Sequence, residues 1–560
     1  MKACDLQRDL CDMNVFRRSR GSLVAAEVFR RSHGLDCNLI TSFQISLHLY
    51  LLNSNHYPNH HRFLSSYLSL LPSDSFDKLG LEVTDRVLIS GTALLVLVSF
   101  LFFFTGVGTR RKHKDQADHD HDLSPPRAPV TDREASENLA RPDSPWFLLE
   151  MAEKIESYTF QLTSQDYVVG DTETAREILL DKATVKPKIY QFYKKLFGTD
   201  VVFTRLKNDH CWHTVRNAIN RSMSSSEVNR MNRIVIEQVD SWVKNTLEPL
   251  IANNESFDPG VEMSKITFRV IAEATLEYNV TDEEYDSFVY HLLNGKKELA
   301  RMCYGNRFRK WFAPLFSNHR DGMRSCSEVK AFGRKILDAY RQNPIKSSNN
   351  TTIKLLESPG VCVDDDNRIA EITNFLFAGH DSTGHTLSHT LVLLAKHNKI
   401  QDKLRDDLLC TDSAIRSKSV YMRNVVTESN RLLPASPMGS LRQVGRNISC
   451  KDKSMIIPKG AVVYLPQLLL HRNPAVFKDP SEFLPERWEN ATKAMKDSIF
   501  MFSRGQRNCP GQSLALVELY SAIPKLLTAY TFELEAEGRL EYFTTMKRVG
   551  ARLKASKVQV

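Results

Sequence analysis

The sequence predicts a mainly α domain with a small β region, preceded by one apolar helix long enough to cross a membrane. Three observations lead there. Apolar residues recur at helical spacing from Val228 through Leu247, Met263 through Leu276, Val329 through Tyr340, and again from near Arg368 to His397. Strand signals are short and few: Tyr167–Asp171, and an alternating stretch near Thr531–Val560 expected to close the chain as a β-hairpin. Val87–Val107 carries no charge and contains an almost unbroken run of Leu, Val and Phe. About 20 apolar residues suffice for a spanning helix.

Composition sets wide bounds. The chain has 560 residues, 42% of them hydrophobic and 25% charged, enough for a large packed core. Its net charge of +9 suits an anionic membrane surface or an acidic protein partner. No nucleic-acid module accompanies that charge, so a nucleic-acid partner is not expected. The ten cysteines form no C-x-x-C pair. With no need of disulfide staples in so long a chain, they point to a reduced compartment.

Residues 1–86 support no firm reading. Arg8, Arg17, Arg18, Arg20, Arg30 and Arg31 resemble the basic residues of a transit peptide, but Asp5, Asp9 and Asp12 argue against one. A targeting segment and a mis-assigned start both stay open. The span at 87–107 is followed at once by Arg110, Arg111, Lys112 and Lys114, which places everything after it on the cytoplasmic side. Residues 108–144 read as a polar linker stiffened by Pro125, Pro126 and Pro129. His119 and His121 belong to that solvated stretch.

The folded domain is expected over 145–560. Asp171 or Thr172 should cap a helix running through Leu180. Trp212 and Arg216, at i and i+4, share a helix face and on spacing alone form a surface aromatic–cation pair. Asp364, Asp365 and Asp366 precede a long helix, where acidic residues complement its positive end; that reading is preferred to a cation site. At the centre of that helix lies Phe377-Ala378-Gly379-His380-Asp381-Ser382-Thr383. Gly379 costs about 1 kcal/mol relative to Ala in mid-helix and needs a reason. Ala378 and Ser382 share a face that is shallow enough for a bulky ligand, and an acid beside a hydroxyl can relay protons. Glu428 and Arg431, at i and i+3, are on their own an ordinary ion pair.

The most informative stretch is Phe502-Ser-Arg-Gly505-Gln-Arg507-Asn-Cys509-Pro-Gly511, which runs into an apolar helix ending near Tyr530. Glycines let the backbone turn sharply beside a flat ligand, and a cysteine at a loop-to-helix junction faces groups that favour its thiolate. Phe-x-x-Gly-x-Arg-x-Cys-x-Gly resembles the haem-thiolate loop of the cytochrome P450 monooxygenases, and 377–383 resembles that family's oxygen-activation motif, with Ser382 where Thr is usual. Glu428-x-x-Arg431 and Phe483-x-x-x-Arg487 follow in the family's order, as do Ile457–Gly460 and His471–Pro474.

The resemblance implies a cytochrome P450 fold holding haem b, with Cys509 as the axial iron ligand and Phe502, Gly505 and Gly511 shaping the loop. It implies that Trp212, Arg216 and Arg507 hold the haem propionates, with Arg442 a further candidate. Asp381 and Ser382, with Thr383 as a substitute, are implied to deliver protons. Glu428, Arg431 and Arg487 form a structural triad in that comparison. The expected reaction inserts one atom of dioxygen into a lipophilic substrate of the fatty acid, sterol, terpenoid or xenobiotic class. No flavin or iron–sulfur segment follows, so a separate NADPH-dependent reductase is the expected electron donor. The expected location is a membrane, crossed once, with the catalytic domain cytoplasmic; the endoplasmic reticulum is preferred to a plastid or mitochondrial membrane. Two rivals remain at this point: a reductase-independent haem-thiolate isomerase or dehydratase, and a non-catalytic membrane haem-binding protein.

Overall fold

The computed structural model describes residues 126–560, apart from 305–308, 310–311, 344–349, 451–454 and 559–560. The 1–86 region, the Val87–Val107 span and the first part of the linker lie outside the described residues. Among the described residues no helix is long and apolar enough to cross a membrane.

Order begins before Pro145, within the expected linker. Asp132–Leu139 is a helix with Thr131 as N-cap and a reciprocal bond from Glu134, and it buries Ala135 and Leu139. That Thr-x-x-Glu spacing is a capping box. Just ahead of it, Gln161 N donates to Pro126 O (2.9 Å) and Ala128 N donates to Gln161 O (2.8 Å), so this segment lies along a sheet edge.

The main sheet draws on both ends of the domain. Its strands are β1 (Thr159–Gln161), β2 (Asp166–Val169), β3 (Ser440–Gln443) and, after the two-residue strands β4 (Ile448–Ser449) and β5 (Ile456–Ile457), β6 (Val462–Leu465). The order is β1-β2-β6-β3, with β2 and β6 parallel and Val168 opposite Tyr464. The chain does not close in one hairpin. β7 (Tyr530–Ala536) pairs with β10 (Arg552–Lys557), while β8 (Arg539–Phe543) and β9 (Thr545–Val549) pair as a second two-stranded unit between them. Left-handed residues at Gly538, Thr544 and Gly550 make the extra turns.

The helical body is built from α1 (His210–Ser222), α2 (Val228–Trp242), α3 (Pro259–Leu276), α4 (Asp282–Tyr304), α5 (Ser317–Gln342), α6 (Asp365–Lys396), α7 (Val420–Leu432) and α8 (Gln512–Ala529). The periodic stretches thus fall on helices, although the Val228–Leu247 stretch ends in a π-helical turn at Val243–Leu247. Asp364 caps α6 by accepting the Asn367 N–H at 2.8 Å, and Asp365 pairs with Arg341 and Arg368. The acidic run is therefore a cap and ion-pair site. Among the described residues no cluster of His, Cys, Asp or Glu could hold a metal ion.

α6 is buried along most of its length. Gly379 owes its place to packing: a Cβ there would lie 2.7 Å from the Ile271 side chain of α3. At Gly384 a Cβ would meet the Ser264 backbone, also at 2.7 Å. Thr267 completes the seam by donating to His380 O at 2.8 Å.

Glu428 organises a second buried centre. Its carboxylate accepts from Arg431 Nε (2.8 Å) and Nη2 (2.9 Å), Arg487 Nε (2.8 Å), Trp488 Nε1 (2.9 Å) and Leu484 N (3.0 Å). Arg431, fully buried, also donates to the carbonyls of His471, Pro480 and Glu482. One helix and the 480–488 segment are thereby tied at a single anion. Removing one partner of a buried pair strands the other, at about 3–5 kcal/mol. Glu428→Gln should therefore destabilise the protein by about 3–5 kcal/mol, read as a lower denaturant midpoint; a change below about 1 kcal/mol would contradict this account of the centre.

Candidate active site

The Cys509 loop is shaped by its own backbone. Gly505 has φ +75°, and a Cβ there would lie 2.3 Å from Leu179 O, so only glycine fits. Cys509 N donates to Phe502 O at 2.8 Å and Asn508 N to Gly505 O at 3.1 Å, closing a tight turn. Gly511 follows just ahead of α8, where a Cβ would lie 3.9 Å from the Cys509 sulfur. The thiol is exposed by surface area, yet burial pushes its pKa up against the opposing pull of the Gly511 N–H and Arg216. Those two facts agree if the sulfur faces an internal cleft, where surrounding protein limits hydration of a thiolate.

Trp212 and Arg216 are both buried, not a surface pair. Arg216 donates from Nη1 to Asn508 O (2.8 Å) and from Nη2 to Asn508 Oδ1 (2.6 Å), so it clamps the residue before Cys509. Arg507 lies over the Trp212 ring, 4.4 Å from its centre. Both reach one backbone carbonyl: Val202 O accepts from Trp212 Nε1 (3.1 Å) and Arg507 Nη1 (3.0 Å). Val202 N in turn donates to Glu371 of α6 at 2.7 Å.

Lys186 and Arg442 join this group, and both are buried. Lys186 lies 4.0 Å from the centre of the Tyr190 ring and 4.1 Å from that of Phe203. Burial lowers the Lys186 pKa strongly, and the charges of Arg442 and Arg507 add to it. Burial and the charges of Arg442 and Arg216 likewise bring Arg507 down to about 10. None of these four cations has a carboxylate within ion-pair distance among the described residues, and Arg507 Nη2 is buried without a partner. Unpaired buried charge is costly, so the cluster suits an anionic group. The two propionates of a haem would supply it, beside the accessible thiol that would ligate its iron.

The oxygen-motif stretch lies next to the loop-bearing helix: burial pushes the Glu518 carboxyl of α8 well up, and the Thr383 hydroxyl nearby offsets part of that rise. Ala378 is exposed although Leu376, Phe377 and His380 around it are buried, and the partly buried Ser382, one turn on, donates to Ala378 O at 3.0 Å. Ser382 and Ala378 thus share the open face, whereas Thr383 is buried against Glu518. Asp381 is not free: His385 Nε2 lies 2.9 Å from Oδ1, while Lys296 Nζ (3.4 Å) and Thr545 Oγ1 (2.5 Å) reach Oδ2. Burial alone would raise its carboxyl, but the Lys296 charge and the His385 Nε2–H hold it well below the usual range. Burial also lowers Lys296 against the pull of Asp381. Burial opposes charge on both partners; with three donors converging on it, the carboxylate is the one that stays ionised.

The comparisons with known proteins agree with this geometry. The Cytochrome P450 family model matches residues 143–560. The chain belongs to the cytochrome P450 family. Among its relatives, probable cytochrome P450 4ac3 of Drosophila melanogaster is 25% identical, covering 64% of this chain and 74% of its own length. Cheilanthifoline synthase of Argemone mexicana is 23% identical (67% and 78%), and cytochrome P450 3A9 of Rattus norvegicus 26% (59% and 69%). The crystal structure of a cytochrome P450, CYP102L1, aligns with a TM-score of 0.59 at 20% identity, over 70% of this chain and 92% of that one. This P450 is accordingly a mainly α haem-thiolate oxidoreductase of the monooxygenase class.

Sequence reasoning did not find Glu371, Lys186, Lys296 or Thr545. Glu371 left a trace, one carboxylate in the apolar run Ile369–Leu376; the others come from distant segments with no local signal. Burial pushes the Glu371 carboxyl up from 4.5 to about 7, against the Val202 N–H and Asn374. Its charged form therefore costs the fold nothing below the unfolded pKa, and stability is lost as pH rises from about 4.5 to about 7, by about 3 kcal/mol in all. Glu371→Gln keeps an acceptor for Val202. Its stability advantage over wild type should open across that pH window and level off above it, measured by denaturant titration from pH 4.5 to 8.5. A gap that is flat with pH would place the ionisation elsewhere.

Proposed function

We propose that this P450 oxidises a lipophilic substrate of the fatty acid, sterol, terpenoid or xenobiotic class, with electrons from a separate NADPH-dependent reductase. The observation that carries the reading is the accessible Cys509 thiol beside the buried cations Lys186, Arg216 and Arg442 and the partly buried Arg507, none with an acidic partner among the described residues. When bound, thiolate-ligated haem supplies dioxygen activation, one oxygen atom going to substrate and the other to water. The chain's own residues do the rest. Arg216 holds Asn508, and so the cysteine, in place. Arg507, Lys186 and Arg442 offer positive charge to the propionates, with Trp212 stacked beneath Arg507. Ala378 leaves room on α6, and Ser382 brings a hydroxyl to that open face. Asp381 is the acid that passes protons to it; as a carboxylate held by three donors, it accepts a proton before it gives one. Thr383, turned toward Glu518, is the weaker candidate for that relay.

We also propose that Val87–Val107 anchors the chain in a membrane with residues 145–560 cytoplasmic, the endoplasmic reticulum being the favoured site. The basic cluster after the span supports that orientation.

Two measurements test these readings. The reduced holoprotein with carbon monoxide should give the strongly red-shifted Soret band of thiolate ligation, and Cys509→Ala should lose it. A histidine-type band in the wild type would remove the basis of the assignment. The sequons at Asn254, Asn279 and Asn447 should stay unmodified in eukaryotic cells; glycan on the folded protein would reverse the proposed topology.

A further inference from the structure

Four buried polar atoms on α6 and the facing part of α3 have no hydrogen-bond partner: Ser264 Oγ, His385 Nδ1, Ser388 Oγ and His389 Nε2. All four side chains belong to residues at most 6% exposed. Ser264, His385 and Ser388 lie along the α3–α6 seam, and His389 adjoins His385 one turn on. Ser264 faces Gly384, Ser388 is one turn beyond it on α6, and His385 Cε1 approaches Gly260. The His385 and His389 rings stack with centres 6.3 Å apart and planes 23° apart. Buried groups of this kind are ordinarily satisfied, by water where protein does not do it.

We propose that these four residues hold ordered water and form a proton supply that runs along α6 to Asp381. The inference rests on the reading of Asp381 as the acid of oxygen chemistry. Hydrogen-bond bookkeeping favours water. His385 Nε2 faces the Asp381 carboxylate, which only accepts, so Nε2 carries the hydrogen and Nδ1 is left as an acceptor. His389 Nδ1 lies 3.3 Å from Leu433 O, also an acceptor, so His389 Nε2 is an acceptor too. Two acceptors cannot bond each other, but one water can donate to both. In the transfer, His385 Nδ1 takes a proton from the water as its Nε2 proton passes to Asp381 Oδ1. The water is replenished by a proton from solvent through further water at the Ser264 and Ser388 hydroxyls. One proton enters and one arrives at Asp381, with no change in electron count.

The other charged neighbours fit these roles. His389 anchors the water and does not carry the charge: burial, with His385 and Arg548 nearby, lowers its pKa strongly. Arg548 and Thr545 approach from β9, Lys296 and Tyr285 from α4, and His380 lies on α6 itself. On α3, Glu262 is bound to Trp242 Nε1 and does not compete.

A high-resolution crystal structure of the wild-type haem-loaded protein should place ordered water within hydrogen-bond distance of both His385 Nδ1 and His389 Nε2. Nitrogen-15 NMR of histidine-labelled holoprotein should find the Nε2–H tautomer at His385 and the Nδ1–H tautomer at His389. In turnover, His385→Gln and His389→Gln, each with an unchanged Soret band, should raise the solvent deuterium isotope effect at least 2-fold. Ser388→Ala serves as a further variant if either fails to load haem. A dry seam, the opposite tautomers, or an unchanged isotope effect in loaded variants would each overturn the proposal. Water and tautomers are read without turnover, so they separate failure of this relay from failure of the monooxygenase reading.

Discussion

The close approach of α3 to α6 is the contact on which the helical body depends. It requires Gly379 and Gly384, because a methyl at either would drive into Ile271 or the Ser264 backbone. Glycine inside a helix weakens it by about 1 kcal/mol, and here the loss is offset by packing along a helix of 32 residues. With α3 seated on one side and α5, α7 and α8 around it, α6 has little surface left to hydrate. Between Ile369 and Ala395 only Ala378 is exposed, with Ser382 partly open beside it, an opening set by what the neighbours do not cover.

Electrostatics then divides the interior into two regions of opposite balance. Near the cysteine loop, Lys186, Arg216, Arg442 and Arg507 carry positive charge without a matching carboxylate, a surplus that a dianionic cofactor edge would neutralise. Glu428 and Asp381 show the reverse, one carboxylate each beneath several donors. The low dielectric that makes an unpaired charge costly also strengthens a well-satisfied one. Glu428 is itself fully buried and all its partners belong to its own helix or the 480–488 segment, which suits a structural anchor. Asp381 has the same wealth of donors, but it adjoins Ser382 on the open face, so its proton balance bears on chemistry.

Much of this was legible in the sequence because it is local. The Cys509 loop, the oxygen motif, the acidic cap at Asp364 and the i, i+3 pair at Glu428 and Arg431 all lie within a few residues of chain. Trp212 and Arg216 were placed on one helix face, but their burial depends on Arg507 and Val202 and could not be read from spacing. The partners of Asp381 show the limit most clearly. His385 stands at i+4 and is visible in the motif, whereas Lys296 comes from α4 and Thr545 from β9. A motif names the acid; its ionisation belongs to the tertiary structure. The linker boundary and the single C-terminal hairpin went astray for a related reason. A polar segment can order along a sheet edge, and alternation alone does not say where a strand turns back.

Ser382 carries the same lesson into function. Threonine, usual at this position in the family, has a methyl that restricts χ1. Serine lacks that restraint, and the hydroxyl here is held instead by its bond to Ala378 O. A hydroxyl that donates backward into its own helix keeps its acceptor side toward the open face, ready to receive a proton from the Asp381 side. To pass a proton on it must give up the Ala378 bond, and serine can turn to do so more readily than threonine. The substitution thus exchanges steric positioning for a hydrogen bond that has to break and reform, while the donor–acceptor chemistry of the site is retained.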